Sequence, residues 1–208
     1  MRKSLAILAL SIASVFAVHS AKADDSCKSV AGNLLAVSNC GFETGDFTDW
    51  SGTALTDPLS FSGVDSTDPF SGGDEAYLGN ETGTDTLFQT LHTVAGTTYT
   101  ISFAVHNADG TNPDANDPAT FSAAFGSTTG FSESNVAIGP YVVETFTGVA
   151  TGATTNLTFT FEDVLADFDL DSVSVVAQPS ATPEPSSLML LGTGVLGFAG
   201  VVRRRFNR

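Results

Sequence analysis

From Asp24 to Gln178 apolar residues recur at every second position in short runs, and this spacing constrains the fold more than any other feature of the chain. Tyr99, Ile101, Phe103 and Val105 alternate with Thr98, Thr100, Ser102 and Ala104. Successive side chains of a strand point to opposite faces, so such a run buries one face and leaves the other to polar neighbours. Leu157, Phe159 and Phe161 repeat the pattern among threonines, as do Phe121, Ala123 and Phe125. Near the end, Leu170 falls with Ser172 and Ser174 on one face, opposite Val173 and Val175. Further strands are predicted at 33–37, 75–79, 84–91 and 142–147, separated by Gly, Asn, Asp, Thr and Pro. No stretch of this body sustains a 3.6-residue period, so little helix is expected. Seven to nine strands at this spacing predict an all-β fold, a two-sheet antiparallel sandwich. The chain has 16 phenylalanines, most of them on these inward faces, and they supply its core, since each aromatic ring can bury about 150 to 250 Å². The segment "HNADGTNPDANDP" (106–118) reads as a long loop.

The two ends differ from the body. Residues 1–23 begin with Arg2 and Lys3, continue through the apolar stretch Leu5 to Val18 and close on Ala21-Lys22-Ala23, the layout of a signal peptide cut by signal peptidase. Residues 179–182 form a linker, and 183–208 carry Pro183-Glu184-Pro185, an uncharged run and Arg203-Arg204-Arg205. A helix over 187–202, rising about 1.5 Å per residue, spans a bilayer only marginally. Its four glycines suit a close-packed membrane segment better than a soluble helix. The arginines after it predict a cytoplasmic end and an external body.

Setting the ends aside leaves 22 carboxylates against Lys28, a net of -21 over 24–178. Binding to nucleic acid or to anionic lipid needs Lys and Arg to neutralise phosphates, so both are excluded as partners of the body. The acidity fits either solubility in an exported protein or affinity for divalent cations. Cys27 and Cys40, an even pair behind the cleavage site, predict a disulfide. A zinc site is disfavoured because no second Cys or His pair lies at ligand spacing.

The three-part tail resembles the PEP-CTERM sorting signal of Gram-negative bacteria. That resemblance implies recognition by an exosortase, a membrane-embedded cysteine protease-transpeptidase, with removal at the Pro183-Glu184-Pro185 end. It also implies export through a transient inner-membrane anchor to the cell surface or beyond, in organisms that commonly make extracellular polysaccharide or biofilm.

The body resembles a second family through four pieces in order: "SNCGFETGDFTDW" (38–50), "GGDEAYLGN" (72–80), "TLFQTLHTVAGTTYTISFAV" (86–105) and "LTFTFEDVLADFDLDSVSV" (157–175). Together they are similar to the galactose-binding-like jelly roll of carbohydrate-binding modules. The resemblance implies a structural calcium ion held by Glu43 and Asp171, with Asp74 as a further acid and backbone carbonyls such as that of Gly41. It also implies sugar stacking on exposed aromatics. Trp50 and Tyr77 are the first candidates, with Phe61, Phe70 and Tyr141 beside them, although a Trp at the place of Trp50 is often a core residue in that family. No catalytic residue is expected. His92 and His106 share no metal spacing, no nucleophile motif is present, and among so many acids any pair of carboxylates arises by chance.

Overall fold

The computed structural model describes residues 25–108, 118–164 and 166–179. The signal peptide, the apolar run 187–202 and both halves of the sorting signal lie outside them, as does most of the loop expected at 106–118. Nine strands follow a short helix, Ser26–Ser29: β1 (Gly63–Asp65), β2 (Glu75–Leu78), β3 (Asp85–His92), β4 (Thr98–Asn107), β5 (Ala119–Phe125), β6 (Thr128–Ser134), β7 (Val142–Val149), β8 (Thr154–Asp163) and β9 (Phe168–Ala177). They form two antiparallel sheets, one of five strands in the order β1-β2-β9-β4-β7 and one of four in the order β3-β8-β5-β6. The fold is the jelly-roll sandwich expected from the period-two runs.

The core fills the space between the sheets with the alternating residues read from the sequence. Ile101 and Phe103 of β4, Phe121 and Phe125 of β5, and Leu157, Phe159 and Phe161 of β8 are all buried. The Phe103 ring lies 5.1 Å from that of Phe159 and 5.7 Å from that of Phe131, both edge to face, the geometry aromatic quadrupoles favour. The β5–β6 hairpin closes through Gly126 at φ 62°, a backbone state that glycine enters without steric cost.

Two expectations change. Leu170 does not share a face with Ser172 and Ser174. Leu170, Val173 and Val175 are all buried, because β9 carries an extra residue: Ser102 of β4 faces Ser174, yet Ala104 faces Asp171. Ser172 takes up the bulge at φ 54°. One added residue inverts the alternation, so both halves of β9 feed the core. The strand expected at 33–37 is a series of turns joined to β9 by a single bridge, Asn33 to Val176. β2 pairs only with 168–170 of β9, and beyond it the Asn33 side chain completes the edge. Its Oδ1 accepts from the Val175 N–H at 2.8 Å and its Nδ2 donates to the Val173 carbonyl at 3.2 Å. Cys27 and Cys40 are joined in a disulfide that closes this amino-terminal segment.

Candidate functional site

The outer face of the five-stranded sheet gathers most of the polar chemistry. Register places Asp65 of β1 opposite Glu75 of β2. One row further along, Gly63, Tyr77, Asp169 and His106 stand side by side on β1, β2, β9 and β4. Asp65, Glu75, Tyr77, His106 and Asp169, with Thr67, Asp68 and Asp167, line a cavity of about 300 Å³. Alternation explains the placement: Ala76 and Leu78 take the inner face of β2, so Glu75 and Tyr77 must point out. A Cβ on Gly63 would overlap the Tyr77 ring, so that ring lies across a strand position without a side chain. Beside the cavity, Tyr141 packs on His106 with centroids 4.0 Å apart, and Phe70 on Tyr141 at 5.4 Å. Phe70 is 43% exposed.

His106 organises one side. Its Nδ1 is 2.8 Å from the Gly139 carbonyl and its Nε2 3.1 Å from Asp169 Oδ2. Both partners are acceptors when Asp169 is ionised, so the ring satisfies both only as imidazolium. Burial works to lower its pKa, but the bond to Asp169, helped by the Gly139 carbonyl and the charge of Asp68, leaves it raised. Glu75 organises the other side. It is 1% exposed, and its Oε1 accepts from the backbone N–H groups of Thr67 at 3.0 Å and Asp68 at 2.8 Å. Its Oε2 finds no partner if the group is ionised. Burial, with the Asp65 and Asp169 carboxylates nearby, pushes it up to about 8, so at neutral pH it keeps a proton facing Asp65. Asp65 moves the opposite way. Burial would raise it, but the hydrogen bonds from Thr67 and Glu75 outweigh this and hold it below the usual range.

The expected calcium residues meet elsewhere, around the turn 71–74. Glu43 Oε1 accepts the Gly73 N–H at 2.7 Å and the Asp74 N–H at 3.3 Å. Asp171 Oδ2 accepts the Ser71 N–H at 2.8 Å. Asp171 is fully buried, and burial, with the charges of Asp25 and Glu43 nearby, pushes it up to about 7. Glycines make room: a Cβ on Gly41 would strike the Asp25 carboxylate, and one on Gly72 that of Glu43. Asp74 meets Glu43 through its backbone. Among the described residues the one trio of Asp, Glu, His or Cys ligand atoms within 4.8 Å of one another is Asp25, Cys27 and Cys40, and its sulfurs are spent on the disulfide. Asp25, Glu43 and Asp171 thus supply hard oxygen donors of the type calcium takes, with loop backbone around them, but not a closed trio of side chains.

Trp50 leaves the list of ligand candidates. It is 4% exposed, stacks on Phe42 at 5.3 Å, and donates its Nε1–H to the Asn39 carbonyl at 3.0 Å. The core claims it because the turn after Phe47 folds it over the inner face. Phe61, 39% exposed, lies against Gly79 at the edge of the sheet, away from the residues lining the cavity. Phe70 and Tyr141 do pack together beside His106, and Tyr77 lines the cavity with His106. Asp65, Glu75, His106 and Asp169 are the members that sequence reasoning did not single out; their one signal was a polar residue at an outward position of each strand.

Comparison with known proteins separates the tail from the body. The model of the PEP-CTERM protein-sorting motif matches residues 181–205, so the tail carries that motif, which implies export. No curated protein sequence matches the chain. Among solved structures, TmCBM61 in complex with beta-1,4-galactotriose is similar at TM-score 0.51 and 19% identity, over 70% of this chain and 99% of that one. The CBM22-1 xylan-binding domain of Xyn10C from Paenibacillus barcinonensis is similar at TM-score 0.51 and 16% identity, over 68% and 93%. At these identities the likeness establishes a shared fold, that of carbohydrate-binding modules.

Proposed function

We propose that this chain is an exported, non-enzymatic protein that binds polysaccharide on the outer face of its five-stranded sheet. The observation that carries the reading is a cavity there lined by Tyr77, several carboxylates and His106, with Tyr141 stacked on His106 and Phe70 on Tyr141. Aromatic faces can stack on the apolar faces of sugar rings, and the acids and His106 can bond to hydroxyls. Structures similar to this one in fold include modules named for binding galactotriose and xylan, which supports a glycan as the ligand. In this reading signal peptidase removes residues 1–23, the tail anchors the body at the inner membrane, and exosortase releases it to the surface or the extracellular matrix. There it contributes to exopolysaccharide or biofilm. A calcium ion at Glu43 and Asp171, with Asp25 joining in, serves stability and not the ligand.

A glycan array probed with the full-length chain in mild detergent tests the reading. Saturable binding to at least one polysaccharide is expected, weakened about tenfold or more by Tyr77→Ala, since losing one stacked ring costs about 1.4 kcal/mol or more. The excess of 22 carboxylates over one lysine favours a second reading, a structural surface protein that hydrates the matrix without a small ligand. An array with no hit, from protein that melts cooperatively, would favour that second reading.

A further inference from the structure

A second cavity, of about 240 Å³, lies at the corner where the edge strands β6 and β7 come together. It takes no part in the reading above, although His106 borders both. The inner row of β4 runs through Ile101, Phe103 and Val105, and its next member is Asn107. Opposite Asn107 on β9 stands Phe168, which with Phe121 and Phe131 walls the cavity in aromatic rings. The Phe121 centroid lies 5.2 Å from that of Phe168 and 6.4 Å from that of Phe131. Register sets Glu133 of β6 opposite Phe121 and Glu144 of β7 opposite Phe103, so both carboxylates occupy inward positions. Val142, on the same face of β7 as Glu144, also lines the cavity and is 53% exposed, so the edge strands leave this corner open. Inward acids on edge strands commonly serve to discourage edge pairing. Asn107 does not fit that explanation. It is 1% exposed, its Nδ2 donates to the Val136 carbonyl at 2.9 Å, and its Oδ1 has no hydrogen-bond partner among the described residues. Turning the amide over would set its oxygen against the Val136 carbonyl, so the orphan is an acceptor. Burying it without a donor is costly.

We infer that this cavity binds a small flat ring carrying one N–H or O–H donor and no negative charge, an indole or a phenol, with the donor on Asn107 Oδ1. The inference goes beyond the glycan reading and stands without it, since Tyr77 is not part of this lining. The volume suffices, because a dry cavity of about 150 Å³ already takes up benzene. Three phenylalanine rings offer the edge-to-face contacts that a flat ring gains beyond its buried area. A water molecule is a poorer match: it needs two or more polar partners, and the side chains of Val105, Phe121 and Phe168 supply none. An anion meets Glu133 and Glu144 and is rejected by like charge. His106, the one base in the lining, has its ring nitrogens engaged by Gly139 and Asp169 already.

Indole, N-methylindole and indole-3-carboxylate should be titrated into the full-length chain at fixed detergent concentration, followed by the NMR signals of the Ala137 methyl and the Asn107 side-chain amide. Indole is expected to shift these signals saturably and to bind about tenfold tighter than either analogue, one lacking the donor and the other carrying a negative charge. Val142→Phe, which fills the opening from an exposed position, should weaken indole about tenfold or more. Val149→Phe, on the opposite face of the same strand, and Tyr77→Ala should leave indole binding unchanged. Asn107→Leu should bring indole and N-methylindole to within about threefold of each other; if that variant fails to fold, Val142→Phe still decides. Glu133→Gln combined with Glu144→Gln should narrow the gap to indole-3-carboxylate to about threefold or less. Equal binding of indole and N-methylindole by the unaltered chain would mean that the acceptor is unused and would overturn the inference, as would binding that survives Val142→Phe. No saturable binding of any of the three would leave the cavity to water and overturn it too, while glycan binding, measured on the same sample, would stand or fall by itself.

Discussion

Glu75 and His106 give the molecule an inverted response to pH. Glu75 is raised to about 8 from an ordinary value of 4.5, so between these values the folded state holds a proton that the unfolded chain has lost. Stability therefore falls as pH rises through that window. His106 is raised above 6.5, so its contribution is complete below 6.5 and is lost as pH climbs past its folded value, the same direction. Asp65 is lowered and acts oppositely, its contribution being lost only as pH falls below the ordinary carboxylate range. Melting temperature is expected to peak at about pH 5 and decline steadily to about pH 8, with the decline flattened in Glu75→Gln; a scan by calorimetry checks both. Trp50 makes a separate prediction. Trp50→Ala should cost about 3 to 5 kcal/mol in denaturant unfolding, and any protein that still folds should bind glycans as before. That outcome would separate a core role from a ligand role in one variant.

At the level of elements, β9 shows where sequence reading succeeds and where it stops. The alternating runs of β4, β5 and β8 could be read directly, because each keeps an unbroken period of two from end to end. β9 could not, since Ser172 breaks the period, and a bulge has no composition signal when serine occupies the positive-φ position. The short β1 escaped notice with three residues, Gly63–Asp65, and β6 escaped because its residues are nearly all exposed. Segment 33–37 looked like a strand from its apolar residues, yet Asn33 serves the sheet edge by its side chain. The site was hidden for a related reason: Asp65, Glu75, Asp169 and His106 are scattered over more than a hundred residues, and only register unites them. Deleting Ser172 should restore simple alternation, turn Val173 and Val175 outward or Leu170 out of the core, and reduce stability by several kcal/mol on the scale of lost core side chains. Urea unfolding checks this.

For the whole molecule, the turn 71–74 and the tail decide how the body is held and where it goes. Glu43 and Asp171 both accept backbone N–H groups of that turn. If calcium joins them, EDTA should lower the melting temperature, and Glu43→Gln should abolish the difference; an identical melt with and without chelator would dismiss the ion. Reduction of the Cys27–Cys40 link should cost about 3 kcal/mol on the loop-entropy account, seen as a lower denaturation midpoint with a reductant present. Mass spectrometry of the released protein should find its first residue at Asp24 and no peptide beyond Pro185. An intact arginine end in the medium would count against sorting by the tail.

Tyr77 can spread across β1 only because residue 63 ends in a hydrogen atom. That vacancy works as a hinge-free rest for the phenol, and the smallest possible enlargement, Gly63→Ala, would tip the ring upright and turn a landing platform into a post. If a polysaccharide lies along this face as proposed, it would then meet an obstacle in place of a floor.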